Sequence, residues 1–141
     1  MRLSEDESWE RVTASRHGVF GTVHPERGVD LVPVVYAVGD DRMIFIPVDT
    51  MKAKASTRLQ RLENLRHDPR CTLLVDFYGD DWSRLWWVRL NGRGREANVD
   101  ETQRFTTLLA DRYSQYAGGD GIVGGVVLTP AAVTGWKATA G

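Results

Sequence analysis

A cluster of basic residues lies in the middle of the chain, where a β-branched segment gives way to a helical pattern. It holds five of the 18 lysines and arginines within fifteen positions: Lys52, Lys54, Arg58, Arg61 and Arg66. A helix N-terminus offers unpaired backbone amides and a partial positive charge, which together favour an anion. Lys52 and Lys54, with the hydroxyl of Thr50, stand at the start of the predicted helix, and charge-assisted hydrogen bonds from them suit a phosphate.

The same charges also fit the solvated face of an amphipathic helix, because runs of charge are common on exposed helices. That interpretation suits Arg61 and Arg66, which fall inside the helical pattern. It suits residues 50–54 less well, since they precede the apolar stripe. The position of the charges alone therefore leaves both interpretations open.

A second group of residues with chemical interest is aromatic. Trp82, Trp86 and Trp87 fall within six positions at the entry to a predicted strand. Consecutive strand residues point to opposite faces, so Trp86 and Trp87 must have different surroundings. One is expected in the core and the other in a pocket or a subunit contact, although core and interface packing would also explain both.

Several kinds of site are not indicated. His17, His24 and His67 are far apart, and there is no His-x-x-x-His or Cys-x-x-Cys pair, so the sequence predicts no metal site. It has neither a Gly-x-Ser-x-Gly elbow nor a Walker loop. The net charge of −1 argues against a nucleic-acid partner. Cys71 lies in an apolar run and is predicted to be a buried structural thiol.

The elements that position these residues follow from periodicity and turn chemistry. A capping box at Ser4 and Glu7 predicts a helix over 5–15, and apolar stripes predict two more over 54–66 and 100–116. Apolar and β-branched runs predict strands over 17–23, 29–38, 42–48, 70–77, 83–97, 122–128 and 133–138. The run over 29–38 is apolar at both parities, which predicts a strand covered on both faces.

Most of these strands are joined by short turns, which predicts a mainly antiparallel sheet. About seven strands with few helices favour a barrel. A length of 141 residues fits one domain over 1–141. The N-terminus shows no apolar leader and the chain has no apolar run of about 18 residues, so we expect a cytoplasmic protein without membrane contact.

The order of these features resembles the pyridoxamine-phosphate-oxidase-like split-barrel superfamily. Within it, the chain is most similar to the actinobacterial deazaflavin-dependent oxidoreductases, which use coenzyme F420. An Asn-Leu-x-x-Asp-Pro helix exit spans 64–69, and the Lys52-Ala53-Lys54 pair follows a strand that ends at Asp49. Further matching segments are residues 18–23, 30–36, 44–49, 80–89 and 133–136.

The resemblance implies a split β-barrel of the FMN-binding type that forms a homodimer, with the cofactor in the groove between subunits. It implies hydride transfer between reduced coenzyme F420 and a small electrophilic organic substrate. It indicates no catalytic residue. The cofactor-binding residues that it implies, together with the basic segment, are Pro33, Val34, Val48, Asp49, Thr50, Lys52, Lys54, Arg58 and Trp87.

Two other functions remain open at this point. The first is an FMN-dependent oxidase or reductase on the same fold, which would use the same basic pair. The second is a protein that binds flavin, deazaflavin or haem without catalysis. Fold alone does not decide between them, since one fold supports many functions.

Overall fold

A computed structural model describes residues 1–49, 55–119 and 121–139; the side chains of residues 49 and 55–59 are not described. Three helices pack on a seven-stranded sheet. The helices are α1 (Glu5–Ala14), α2 (Ala55–His67) and α3 (Val99–Arg112). The strands are β1 (Gly18–His24), β2 (Gly28–Val34), β3 (Ala37–Val38), β4 (Ile44–Asp49), β5 (Arg70–Phe77), β6 (Trp86–Glu96) and β7 (Ile122–Lys137).

The sheet is antiparallel, with strand order β2-β1-β5-β6-β7-β4-β3. β2 and β3 therefore stand at opposite ends of the sheet, yet Val35 and Tyr36 alone separate them in sequence. Three Cα steps span at most about 11 Å. The sheet must curl until its two ends meet, which makes a barrel with a split beside β2. The predicted split barrel is confirmed.

The main core fills the inside of this barrel. Every strand except β3 contributes a fully buried or nearly buried side chain to it, and α1 and α2 add further apolar side chains. The buried residues of this core include Trp9, Val12, Phe20, Val34, Tyr36, Ile44, Ile46, Leu62, Leu65, Leu73, Val88, Leu90, Val126 and Leu128. α1 packs on β6 and β7, and α2 packs on β1 and β6.

A second core lies outside the barrel, between α3 and the outer face of β4 and β7. Phe105 and Leu109 of α3 are fully buried there with Phe45 and Val127. The rings of Phe45 and Phe105 stack with centroids 5.0 Å apart and an interplanar angle of 6°. α3 thus covers this part of the barrel exterior.

The opposite part of the exterior is bare. We call it the outer wall; its residues are Val29, Leu31 and Pro33 of β2, Leu74 of β5, Trp87 of β6 and Trp136 of β7. Val29 and Leu31 are 62% and 69% exposed. The prediction that the 29–38 run is covered on both faces is wrong for this chain, because no helix among the described residues packs on that side.

Two predicted strand divisions also need correction. The run over 29–38 is broken at Val35 and Tyr36, where the chain passes from one end of the sheet to the other. Conversely, the division expected at Thr129 and Pro130 is absent, and β7 is one strand. β4 pairs with β7 only as far as Leu128, so Pro130 lies at a free edge where its missing N–H costs no ladder bond.

A register shift between Asn91 and Gly92 marks a β-bulge in β6. A Cβ at Gly92 would lie 2.1 Å from the carbonyl oxygen of Thr129, so the close approach of the two strands requires glycine. The start of β6 was predicted too early. Asp81 caps a short 3-10 turn over Trp82–Arg84, and the strand begins at Trp86.

The helix caps are partly as predicted. Ser4 and Glu7 form the expected capping box of α1. α3 begins at Val99, one residue earlier than predicted, and is capped by Asn98: the Asn98 side chain accepts from the Glu101 N–H at 2.8 Å, and the Glu101 carboxylate accepts from the Asn98 N–H at 3.0 Å. Across the described ranges, no helix is both long and apolar enough to cross a membrane.

Candidate functional site

A groove of about 510 Å³ runs between the edge strand β2 and helix α2. This volume falls within the range of roughly 300–1,000 Å³ that is usual for small-molecule sites. The lining combines apolar residues of β2 with polar residues of α2. Its residues are Thr22, Arg27, Val29, Asp30, Leu31, Val32, Gln60, Arg61 and Asn64.

The polar side of the groove is organised by Asn64, which is fully buried. Its Nδ2 donates to Thr22 Oγ1 at 3.0 Å and to Asp30 Oδ2 at 2.8 Å. Its Oδ1 accepts from Gln60 Nε2 at 2.8 Å. Both amide hydrogens and the carbonyl are thus satisfied, so Asn64 fixes α2 against β1 and β2 without a desolvation penalty.

Asp30 is the fixed charge at this point of the groove. Arg27 binds it in a bidentate pair, with Nε to Oδ1 at 2.9 Å and Nη2 to Oδ2 at 3.0 Å. The Arg27 hydrogen bonds, and next the Asn64 amide, hold the pKa of Asp30 below its ordinary value. Asp30 is therefore anionic near neutral pH, and its oxygens are already committed to Arg27 and Asn64.

The β2 side of the groove is an open strand edge. β2 pairs with β1 on one side and has no second strand partner among residues 1–49, 55–119 and 121–139. Its hairpin turn closes at Gly28, whose φ of 93° favours glycine. An edge strand presents alternate backbone N–H and C=O groups without a ladder partner. Pro33 is tolerated there because a proline can occupy a free edge.

The structure places four of the predicted cofactor residues on elements around the split. Pro33 is exposed and Val34 buried at the end of β2, and Val48 is buried near the end of β4, just before Asp49. Since Val34 and Val48 point into the core, a ligand in the split would meet their backbone rather than their side chains.

The structure describes only part of the predicted basic segment. Arg58 lies on α2, three residues before Arg61. Thr50, Lys52 and Lys54 lie outside the described residues. In sequence they join the end of β4 to the start of α2.

Trp87 stands apart from the groove. It lies opposite Asp76 and Trp136 on the outer wall, with the Arg89 guanidinium 5.2 Å from its ring centroid. Trp86 packs against the barrel core, so the two tryptophans do face opposite sides. β1 and β5 separate Trp87 from β2, a distance of about 14 Å across three strand spacings. One subunit therefore does not bring Trp87 to the split.

Sequence reasoning missed Thr22, Asp30, Gln60 and Asn64 as groove residues. A signal existed for two of them. Asp30 is the one carboxylate in an otherwise apolar strand, and Asn64 falls between Leu62 and Leu65 on the buried side of α2. Polar residues at buried positions need partners, and here they are each other's partners.

Other chemistry is not supported by the part of the chain that is described. Within it, no group of three His, Cys, Asp or Glu side chains is placed to hold a metal ion. Cys71 is buried, and burial raises its pKa to about 12, so it is a structural thiol rather than a nucleophile.

Comparison with solved structures finds the same fold in distant relatives. A conserved hypothetical protein from Mycobacterium tuberculosis is 24% identical, with a TM-score of 0.76 over 96% of this chain and 85% of that one. An FAD-binding protein from Mesorhizobium loti is 20% identical, with a TM-score of 0.68 over 96% and 93%. A heme storage protein from Vibrio cholerae is 12% identical, with a TM-score of 0.67 over 94% of both chains. These likenesses establish the fold.

The family follows from the sequence match. No curated protein shows significant similarity to this chain. The family model described as pyridoxamine 5'-phosphate oxidase, however, matches residues 4–137, which is nearly the whole chain. The protein therefore belongs to the pyridoxamine 5'-phosphate oxidase family.

Proposed function

We propose that this protein is a homodimeric oxidoreductase that binds coenzyme F420 and passes hydride between it and a small electrophilic organic molecule. The observation that carries the proposal is the groove between β2 and α2. It joins an open strand edge to a helix that continues a basic segment, so it offers the two kinds of surface that such a cofactor needs.

The chemistry of the groove fits a flavin or a deazaflavin. Such cofactors combine a flat ring, which carries hydrogen-bonding groups at its rim, with a phosphate-bearing chain. Val29, Leu31 and Val32 offer apolar surface beside free backbone groups of the edge strand. Arg61 lines the same groove, and Lys52 and Lys54 precede α2 in sequence. The ring is assigned to the β2 edge and the phosphate to the basic segment.

A reduced deazaflavin supplies the hydride, so the protein has to supply position and electrostatics. The backbone of Pro33 and Val34 would orient the ring. The ammonium groups of Lys52 and Lys54 would neutralise the phosphate, and the Thr50 hydroxyl would donate a hydrogen bond to it. Asp30 is held by Arg27 and Asn64 and so serves to position α2 rather than to exchange protons. This division of roles explains why the described lining of the groove contains no nucleophile paired with a base.

The proposal includes a second copy of the chain on the outer wall. Exposed apolar patches of this kind mark interaction surfaces. The equivalent surface over β4 and β7 is covered by α3, whereas Leu31, Leu74 and Trp136 have no cover within the described chain. A second copy would bury the wall and bring Trp87 of the partner subunit towards the split of the first, which one subunit cannot do.

FMN is the second candidate cofactor. The FAD-binding protein from Mesorhizobium loti shares this fold, which supports a flavin as ligand. The preference for the deazaflavin rests on the sequence resemblance to the actinobacterial group. A haem role is less well supported, because no histidine lines the described groove and His24 Nδ1 already accepts from the N–H groups of Glu26 and Arg27.

The test is a side-by-side equilibrium titration of the purified apo-protein with coenzyme F420 and with FMN, followed by fluorescence. We expect tighter binding of the deazaflavin. Replacing both lysines, as Lys52→Gln with Lys54→Gln, should weaken binding at least tenfold, because charge-assisted hydrogen bonds contribute about 1.5–3 kcal/mol each. Arg93→Gln with Arg104→Gln is the matched control for the loss of two charges.

Other outcomes would change the assigned cofactor, the phosphate site or the function. Tighter binding of FMN would place the protein among FMN-dependent enzymes. Unchanged affinity in the double lysine variant would contradict the phosphate assignment. Oxidation of the reduced deazaflavin by an added electrophile would support an enzyme, whereas binding without turnover would indicate a storage protein.

A further inference from the structure

A second pocket, of about 350 Å³, lies at the end of the barrel where β5, β6 and β7 meet. Phe77, Trp86 and Lys137 stand opposite one another in register on these three strands. The pocket shares no lining residue with the groove between β2 and α2. Its residues are Arg11, Phe77, Ser83, Arg84, Leu85, Trp86, Lys137 and Ala138.

The pocket carries an excess of positive charge. Arg11 comes from α1, Arg84 from the 3-10 turn and Lys137 from β7, and none of the described residues that line the pocket is acidic. Glu7 stands at the rim, with its Oε2 3.9 Å from Lys137 Nζ. The Lys137 side chain is 32% exposed, and within residues 1–49, 55–119 and 121–139 its ion pair is with this carboxylate, at the long distance of 3.9 Å.

The arginines are also incompletely neutralised. Arg11 Nη1 donates to the Glu7 carbonyl oxygen at 3.4 Å, which is a neutral partner. Asp81 is a counter-charge beside Arg84, and its Oδ1 accepts from the N–H of Ser83 at 3.0 Å and from the Ser83 hydroxyl at 2.6 Å. Arg84 is exposed, whereas Arg11 and Lys137 are half-buried. Three cations face the two carboxylates of Glu7 and Asp81, and this net positive charge favours an added anion.

Aromatic rings lie among the same side chains. The Arg11 guanidinium is 5.6 Å from the Trp86 ring centroid, and the Arg84 guanidinium is 5.2 Å from that of Phe77. Phe77 is exposed despite lying on the inward side of β5. The pocket thus offers ring surface and guanidinium groups side by side, and guanidinium binds carboxylate in a planar fork.

We propose that this pocket is a binding site for a small aromatic carboxylate. The ring of the ligand would lie against Phe77 and Trp86, and its carboxylate would take hydrogen bonds from Arg84 and Lys137. The volume admits a ligand of about one substituted ring, at the lower limit of small-molecule sites. The site is separate from the proposed cofactor groove and does not depend on what that groove binds.

The probe is benzoate, titrated into the full chain by isothermal calorimetry at low salt. Arg84→Gln and Lys137→Gln should each weaken binding roughly tenfold, because each removes one charge-assisted hydrogen bond. Arg104→Gln is the matched control, since Arg104 is also an exposed arginine stacked 4.6 Å from a ring centroid, that of Phe105. Thermal melting of each variant checks that the fold is retained.

Two further ligands test separately whether the ring and the negative charge of benzoate are each needed for binding. Benzyl alcohol has the ring without the charge, and inorganic phosphate has charge without a ring; both should bind at least tenfold more weakly than benzoate. No heat of binding at millimolar benzoate would overturn the site. So would equal affinity of wild type, Arg84→Gln and Lys137→Gln, and equal affinity for phosphate and benzoate would overturn the ligand class.

Discussion

The outer surface of the barrel has two halves, which differ in whether a helix covers them. Over β4 and β7, α3 lies against the sheet and buries Phe45 and Val127 beneath Phe105. Over β1, β2, β5 and β6, the sheet has comparable apolar residues, but no helix of the described residues packs on them, and Leu31 is 69% exposed. The chain therefore covers the apolar surface of the first half with its own helix and leaves the apolar surface of the second half exposed to solvent.

The difference indicates what each half is for. Apolar surface that a chain covers with its own helix contributes to folding. Apolar surface that remains open, next to an open strand edge and a polar groove, is suited to a second copy and a ligand. The predictions below separate these two roles, beginning with the largest expected effect.

Phe105→Ala should be the most damaging change on the covered half. Phe105 is fully buried and stacked on Phe45, so its truncation leaves a cavity and should lower the free energy of unfolding by about 3–5 kcal/mol. Leu108→Ala, on the exposed side of the same helix, is the control and should cost less than about 1 kcal/mol. Urea denaturation measures both. Similar losses in the two variants would contradict the burial of Phe105.

Asn64→Ala should have the next largest effect. It removes three hydrogen bonds at a fully buried position and leaves Asp30 and Thr22 without that partner, so we expect a loss of about 1–3 kcal/mol. Asn91→Ala is the control, because Asn91 is exposed and donates to Thr72 Oγ1 at 2.9 Å. Equal losses would show that the buried network contributes no more than a surface hydrogen bond.

Leu74→Asp should act on assembly rather than on folding, since Leu74 lies on β5 in the middle of the outer wall and is 37% exposed. A charge at the centre of the outer wall should weaken self-association at least tenfold, or about 1.4 kcal/mol. Val123→Asp is the control, since Val123 of β7 is also exposed, at 54%, but lies outside the wall. Sedimentation equilibrium compares the two. A wild-type chain that is monomeric at all concentrations would refute the dimer.

The smallest effect is expected from pH on the covered half. The Arg95 hydrogen bonds to Glu101 hold the pKa of Glu101 at about 2, below its ordinary 4.5. The folded-state pKa is the lower one, so this contribution to stability is present above about pH 4.5 and is lost as pH falls towards about 2. The stability difference between wild type and Glu101→Gln should therefore shrink between about pH 7 and pH 3.

Urea denaturation at the two pH values measures that difference. Glu63→Gln is the matched control, because Glu63 pairs with Arg66 on the exposed face of α2, where ion pairs contribute little. A difference for Glu101→Gln that is the same at both pH values would show that the Arg95 pair does not stabilise the fold.

Local pattern predicted much of this fold. β5 begins and ends where the apolar run predicts, and the helices fall within a few residues of their expected bounds, because turn residues and helical stripes act over short distances. The break between β2 and β3, at Val35 and Tyr36, could not be predicted from local sequence pattern. Both residues favour strand, and the break exists because the two ends of a curled sheet must be joined.

The candidate site was harder to predict for a related reason. The basic segment is local and stands out in the sequence, but the groove needs Thr22, Asp30 and Asn64, which come from three elements. Their meeting depends on how α2 packs across β1 and β2. The exposure of the outer wall could likewise not be predicted from the sequence. A strand that is covered on its second face by a helix has the same apolar pattern as one that is covered there by another copy.

The most direct test of the account is the affinity of the Leu74→Asp variant for coenzyme F420, measured by fluorescence titration beside wild type and Val123→Asp, because Leu74 lies on the outer wall and does not line the groove. If the ligand lies in a split that a second copy completes, the variant that fails to associate should bind at least tenfold more weakly, and the control should match wild type. If Leu74→Asp is monomeric, folded and binds the deazaflavin as wild type does, the cofactor site does not lie between subunits.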